Sequence, residues 1–359
     1  MSKTILFIST KGTGIPAYRI RINYFKRALE AEGYNLIEFE IDLSGIKKYL
    51  SYLFRSPAKS LIDMSKSADI IITSVPPILN AITSYKIARE HNLPLIVDIR
   101  DIWEEYAKTE HSLMYSVGII QAIIREYYEA LKYSSKITVV TEPMKRYYEE
   151  RLNIVDKIAV ISNGTDTNLI KPSGEIKRDV DLIYLADLNQ PYHNLEFLFE
   201  AIKEENLTLT IVGGGKYLHS LKDATNNLRI SDRVLFAGWV PYENLSQYLC
   251  RAKVGVVGRP FIKNIEYLYT IPVKVYDYLA AGLPIAGYGP AGSFLEEFIK
   301  RNNIGIYVDQ QNPKILSSSL VTLVREYGKY IDKVRKLAEC FDRKRISQEM
   351  VAIIKNIIH

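Results

Sequence analysis

Cysteine is nearly absent: the chain of 359 residues has two, Cys250 and Cys340. Both fall in stretches of helical pattern, so neither a disulfide framework nor a zinc-ligand spacing can be built, and a reducing compartment is favoured. Long apolar runs are absent as well, since no uninterrupted stretch reaches the ~18–20 residues needed to cross a bilayer. Charge of one sign is little concentrated, segment 44–62 apart. Lys and Arg total 47 against 41 Asp and Glu, a net charge of +6, with no basic tract of the kind that follows nucleic acid. A signal peptide is not expected either, because MSKTILFIST runs into Gly, Thr and Pro without a small-residue cleavage site. Cytoplasmic placement is the expectation, and the sequons at Asn163, Asn206 and Asn244 then read as chance matches.

What the chain does have is a rhythm. Apolar residues make up 47% and charged residues 25%, as in packed globular proteins, and the length suits two domains of about 150–200 residues. Short β-rich runs at 4–10, 35–41, 69–74, 94–99, 136–141 and 157–162 alternate with helical patterns such as 17–33, 78–91 and 115–133. The pattern resumes with runs at 181–187, 207–213, 233–239, 254–258, 283–289 and 304–308, and helices at 194–206, 215–228, 243–252, 272–281, 292–302 and 312–327. Continuous Ile/Val/Leu runs belong to strands buried on both faces, the mark of parallel sheets wrapped by helices. The expected fold is α/β, with two doubly wound Rossmann-like domains. The expected boundaries are 1–168, a polar linker 169–180, 181–340, and a C-terminal helix 341–359 free to pack back on the first domain. Residues 329–358 read as one long helix. Ligands of such sheets sit outside the carboxyl ends of the strands, which places the expected site in a cleft between the domains.

The stretch IPVKVYDYLAAGLPIAG (271–287) carries the most chemistry. Pro272 suits the first helical position, where its missing N–H costs nothing. The amides of Val273 and Lys274 are then unpaired donors at a positive helix end, and the Lys274 ammonium adds a full charge for a phosphate. Asp277, three residues on, shares the helix face and can accept hydrogen bonds from vicinal sugar hydroxyls. The plainer reading is a solvated Lys274–Asp277 ion pair.

This stretch resembles the segment Pro-x-Lys-x-Tyr-(Glu/Asp)-Tyr-Leu-Ala-Ala-Gly-x-Pro of family 4 retaining glycosyltransferases (glycosyl transferases group 1), which have the GT-B fold. PLIVDIRDIW (94–103), VTEPMKRYYEERL (140–152), VISNGTD (160–166), DLIYLADLNQPYHNLEFLFEAI (181–202), LTIVGGG (209–215) and RVLFAGWVPYENLSQYLCRAKVGVV (233–257) follow in that family's order. The resemblance implies two Rossmann-like domains facing a central cleft, the first for the acceptor and the second for a nucleotide-diphosphate sugar. It further implies retaining, metal-independent transfer with no cofactor. The sequence departs from the family at two places. The first of its two glutamates eight apart is Tyr269 here, and the second is Asp277. The stretch after Ala186, where an Arg or Lys normally meets the diphosphate, has only His193, so Arg259 and Lys263 are candidate substitutes.

By the same resemblance, Gly12 and Gly14 of TKGTGIPA let their loop approach the transferred sugar and diphosphate. Formally they also match G-x-G-x-x-A, but Pro16 and the polar residues before Gly12 spoil the tight turn that a nicotinamide site requires. VGGGKY (212–217) reads first as a structural turn. Trp239 and Val240 stand where the family's chain packs against the base. Arg100 stands in place of a histidine that faces the sugar, and Asp101 is a polar contact to the reacting centre at a carboxyl strand end. Segment 44–62 carries Lys47, Lys48, Arg55 and Lys59 on an amphipathic pattern, which fits either a solvated surface helix or contact with an anionic membrane.

The expected activity is transfer of a sugar from a UDP-, GDP- or dTDP-linked donor to a glycan or lipid-linked acceptor, the latter at the inner face of the membrane. The alternatives are a non-catalytic nucleotide-sugar-binding subunit and a nucleotide-sugar epimerase of the same fold.

Overall fold

Among the described residues, twelve strands form where the twelve apolar runs predict them, arranged as two six-stranded sheets whose strands pair in parallel. The structure is a computed structural model and describes residues 2–11, 16–42, 58–110, 118–172, 177–189 and 193–358. The chain divides into two units, residues 1–162 with 344–359, and residues 163–343. Gly12, Gly14 and most of segment 44–62 lie outside the described residues. Among the described residues, no helix is long and apolar enough to cross a membrane.

In unit 1 the strands are β1 (Thr4–Thr10), β2 (Asn35–Ile41), β3 (Ile70–Val75), β4 (Leu95–Ile99), β5 (Lys136–Val139) and β6 (Ile158–Val160), in the order β2-β1-β3-β4-β5-β6. β3 and β4 are buried at every residue because helices cover both faces, which is why their sequences do not alternate. At the edge, β2 does alternate, and its Glu38 and Glu40 pair with Lys26 and Arg19 of α1 (Pro16–Ala31). The other helices are α2 (Lys59–Ser65), α3 (Ile78–His91), α4 (Trp103–Glu110), α5 (Ile119–Tyr133) and α6 (Glu142–Leu152). α6 begins on Thr141, whose side chain accepts the Met144 amide, and closes on left-handed Asn153.

In unit 2 the strands are β7 (Val180–Leu185), β8 (Leu209–Val212), β9 (Val234–Gly238), β10 (Ala252–Gly258), β11 (Ile285–Tyr288) and β12 (Gly305–Val308). Their order, β12-β11-β10-β7-β8-β9, reverses between β7 and β10. That reversal opens a crevice at the carboxyl ends of these two strands, the general ligand position in such sheets. Its helices are α7 (Leu195–Ile202), α8 (Leu218–Asn227), α9 (Leu245–Leu249), α10 (Ile265–Tyr269), α11 (Lys274–Ala280), α12 (Phe294–Asn302), α13 (Pro313–Glu326) and α14 (Ile331–Cys340), followed by α15 (Arg343–Ile358).

Two expectations are corrected. Residues 329–358 are not one helix: α14 ends at Cys340 and α15 begins at Arg343. The break is made by tertiary hydrogen bonds, since Thr165 N donates to Phe341 O (3.0 Å) and Arg343 N to Thr165 O (2.9 Å). Asp342 then accepts from both the amide (3.1 Å) and the hydroxyl (2.7 Å) of Thr167. Pro272 is not the first helical residue either. A turn with Val275 N bonded to Pro272 O (3.0 Å) precedes α11, which starts at Lys274 and is only seven residues long.

Candidate functional site

The crevice of unit 2 is floored by Tyr184, near the end of β7. Its hydroxyl accepts the Gly258 amide (3.1 Å) at the end of β10, tying together the two strands at the order reversal. The Lys274 Nζ lies 4.3 Å from the centre of the Tyr184 ring. A ring face attracts a cation but supplies no counter-charge. Among the described residues Lys274 has no ion-pair partner, so the plain Lys274–Asp277 pairing does not occur, and the Val273 and Lys274 amides donate to no described acceptor. Burial, with the nearby Arg259 guanidinium adding to it, pulls the Lys274 amine down to about 7.

Arg259 is itself buried. Its Nη1 donates to the carbonyls of Glu266 (3.2 Å) and Tyr267 (2.6 Å), and Nη2 to Thr270 Oγ1 (2.8 Å). It therefore clamps the end of α10 and presents its charge beside Lys274, and burial lowers its pKa. Lys263 is exposed. His193 supplies no charge: its Nε2 lies 3.0 Å from the Asp187 carbonyl, and burial, then Lys274, lower its pKa to about 3.

Asp277 has other company. It is 5% exposed, and its Oδ1 accepts from Thr165 Oγ1 (2.8 Å) and Tyr242 Oη (3.0 Å). Arg343 Nη1 donates to the same Tyr242 hydroxyl (2.7 Å). Burial raises the Asp277 pKa while Arg343 and the two hydroxyl donors oppose the rise. The helix thus turns Lys274 toward β7 and Asp277 toward the segment that enters unit 2. Sequence spacing did not identify Tyr184, Tyr242 or Thr165 as partners.

The glycine-rich turn after β8 is structural and close-packed. A Cβ on Gly213 would fall 1.8 Å from the Ala186 carbonyl oxygen, and one on Gly215 2.3 Å from the Leu188 carbonyl carbon, at φ of +132° and +154°. A Cβ on Gly214 would sit 2.9 Å from Trp239 Cδ1, so the indole lies against this turn. Trp239 is 59% exposed, a large unfilled apolar face next to the crevice-forming turns. Val240 is half-buried on the core of the unit.

In unit 1, Arg100 and Asp101 follow β4. Arg100 Nε donates to Ser74 Oγ (3.0 Å) and Nη2 to Pro76 O (3.0 Å), bracing the end of β3. Asp98, the buried neighbour, is held by Arg21 (3.1 and 2.9 Å) and Thr138 (2.7 Å), and these partners keep its carboxyl below its usual range despite burial. Asp101 is half-buried in the bend before α4.

A second buried ionisable group is Glu104, fully enclosed on α4. Tyr148 donates to its Oε2 (3.2 Å) and Tyr128 to its Oε1 (3.4 Å), while Arg151 Nε donates to the Tyr128 hydroxyl (3.1 Å). Burial pushes Glu104 up to about 7. The tyrosine doublets 127–128 and 147–148 were the signal in the sequence for this nest.

Residues 179–326 match the sequence model of the family described as Glycosyl transferases group 1. A curated relative, an uncharacterized glycosyltransferase of Methanocaldococcus jannaschii, is 24% identical over 220 residues, 56% of this chain and 54% of the relative. The matched stretch thus spans about half of that relative's length. Among solved structures, sucrose-phosphate synthase from Thermosynechococcus elongatus superposes with a TM-score of 0.77 at 15% identity, over 99% of each chain. HepE of Anabaena, in complex with UDP, does so with a TM-score of 0.73 at 16% identity, over 99% of this chain and 100% of its own. The fold is GT-B. Within it, the family match covers every strand of unit 2 and the Tyr184–Lys274–Arg259 crevice.

Proposed function

We propose that this GT-B chain is a glycosyltransferase that takes its sugar from a nucleotide diphosphate. The carrying observation is the pair of cations, Lys274 and Arg259, held at the strand-order reversal of unit 2 with no carboxylate among the described residues bonded to Lys274. Two cationic groups this close repel each other, with Glu266 acting on Arg259 rather than on Lys274, and a diphosphate relieves that repulsion. In this reading Trp239 lies against the base, and Val240 borders it. Asp277 meets the ribose by exchanging its Tyr242 bond for a sugar hydroxyl. HepE structures with UDP and with UDP-glucose support uridine as the base.

Transfer is proposed to be retaining and independent of a divalent cation, with Lys274, Arg259 and the Val273 and Lys274 amides stabilising charge on the departing diphosphate. Asp101 and Arg100 of unit 1 are proposed to contact the reacting centre, with a glycan or lipid-linked acceptor bound by unit 1 and delivered at the cytoplasmic leaflet. Gly12 and Gly14 belong to the same proposal.

A thermal-shift screen of UDP-, GDP- and dTDP-sugars tests the donor reading. One of them raises the wild-type Tm, and Lys274→Ala abolishes that shift. An equal shift in Lys274→Ala would refute the site. Turnover that survives excess chelator supports the metal-independent mechanism, and turnover restored only by added divalent cation would overturn it.

A further inference from the structure

We propose that Lys274 takes up a proton from solvent as a nucleotide-diphosphate sugar binds, so that donor affinity falls as pH rises above neutrality. This inference rests on the donor reading above and specifies how that site is regulated.

Among the described residues, the groups that face Lys274 carry either no charge or its own sign. From β7 comes the Tyr184 ring, 4.3 Å away. From the end of β10 comes the Arg259 guanidinium, committed to two carbonyls and Thr270. From the turn before α7 comes His193, which is neutral. Of the acids nearby, Glu266 acts on Arg259, and two others are engaged elsewhere. Asp277 accepts from Thr165 and Tyr242, and the Asp187 carboxylate accepts from the Asn189 amide (3.1 Å) and Nδ2 (2.9 Å). An ammonium in this position has lost part of its water and feels a second cation, and the ring alone does not compensate for both. The amine, drawn down to about 7, is therefore largely unprotonated in mildly alkaline solution.

A diphosphate diester reverses the balance. It brings two negative charges beside the nitrogen, which favours the ammonium and raises its pKa in the complex. The reaction is R–NH₂ plus H⁺ giving R–NH₃⁺, with the proton supplied by the buffer. Linkage then requires that binding be weakened by alkali over the range in which the free amine, but not the bound one, is neutral.

The probe is UDP-glucose, which carries no phosphate group that titrates near neutrality. Isothermal titration of the full chain in phosphate and in Tris, buffers of different ionisation enthalpy, gives the number of protons taken up. With the free amine near 7, uptake is expected to be about 0.9 proton at pH 8 and about 0.1 at pH 6. Affinity should weaken about eightfold between pH 7.5 and 8.5. Lys274→Arg keeps its charge at every pH, so its uptake is near zero and its affinity flat with pH. Wild-type binding without proton uptake overturns the inference and leaves the donor reading standing. Uptake unchanged in Lys274→Arg assigns the proton to another group and overturns it too. If Lys274→Arg does not bind, the wild-type pH profile decides alone. Failure of UDP-, GDP- and dTDP-sugars all to bind overturns the donor reading and this inference together.

Discussion

Each unit holds an ionisable side chain whose pKa is moved to about 7, Glu104 fully buried and Lys274 half-buried, but the two are housed in opposite ways. Glu104 in unit 1 sits in a nest of tyrosine hydroxyls, with donors on both carboxyl oxygens. Lys274 in unit 2 lies on a bare ring face beside another cation. The first group is satisfied by its own fold. Among the described residues, the second finds no acceptor for its donor hydrogens. A buried charge that the fold completes reads as architecture, whereas one that the fold leaves incomplete reads as a place for a ligand.

The comparison breaks most visibly at Glu104. Glu104→Ala removes the acceptor of the buried Tyr148 and half-buried Tyr128 hydroxyls and opens a cavity, and should cost about 4 kcal/mol by urea unfolding. A donor-induced Tm shift should survive in that variant. The pH dependence of the two units differs in sign. Glu104 has a folded pKa above its ordinary value, so the folded state holds more protons and stability falls as pH rises from about 4.5 to 7. The full span is about 3 kcal/mol, and it should vanish in Glu104→Gln, measured by unfolding at several pH values. Lys274 has a folded pKa below its ordinary value, so the unliganded unit 2 should gain stability as pH rises from about 7 toward 10.5. Lys274→Met relieves the crowded charge and should stabilise the unliganded protein at pH 7 by about 1–2 kcal/mol, while abolishing the donor shift. Loss of stability there would put Lys274 in the same class as Glu104. The smallest effect belongs to Trp239, mostly exposed: Trp239→Ala should leave Tm unchanged and weaken UDP-glucose by about 1 kcal/mol of stacking.

The strands were legible because parallel sheets bury both faces, so runs such as IIITSV and LIVDI declare themselves without reference to distant residues. What depended on distant residues was not legible. Nothing local in 329–358 marks a stop, since Gly and Pro are lacking beyond Gly328, and the break at Phe341 and Asp342 is set by Thr165 and Thr167. Lys274 was found correctly as a cation at the head of a helix. Its surroundings, however, owe less to a helix of seven residues, whose dipole is small, than to Tyr184 and Arg259 brought in by two strands. Asp277 was expected to share Lys274's surroundings. The helix separates them because Thr165 and Tyr242, 112 and 35 residues away in sequence, claim the carboxylate.

The clasp between Thr165 and residues 341–343 has a further meaning for how this chain is put together. Residues 163–343 begin and end at the same spot, their two ends knotted by a pair of main-chain bonds. Such a segment has the topology of an insert within the chain of the other unit. Its ends being adjacent, it can be lifted out, or exchanged for another of its kind, without asking the excised piece to span any distance.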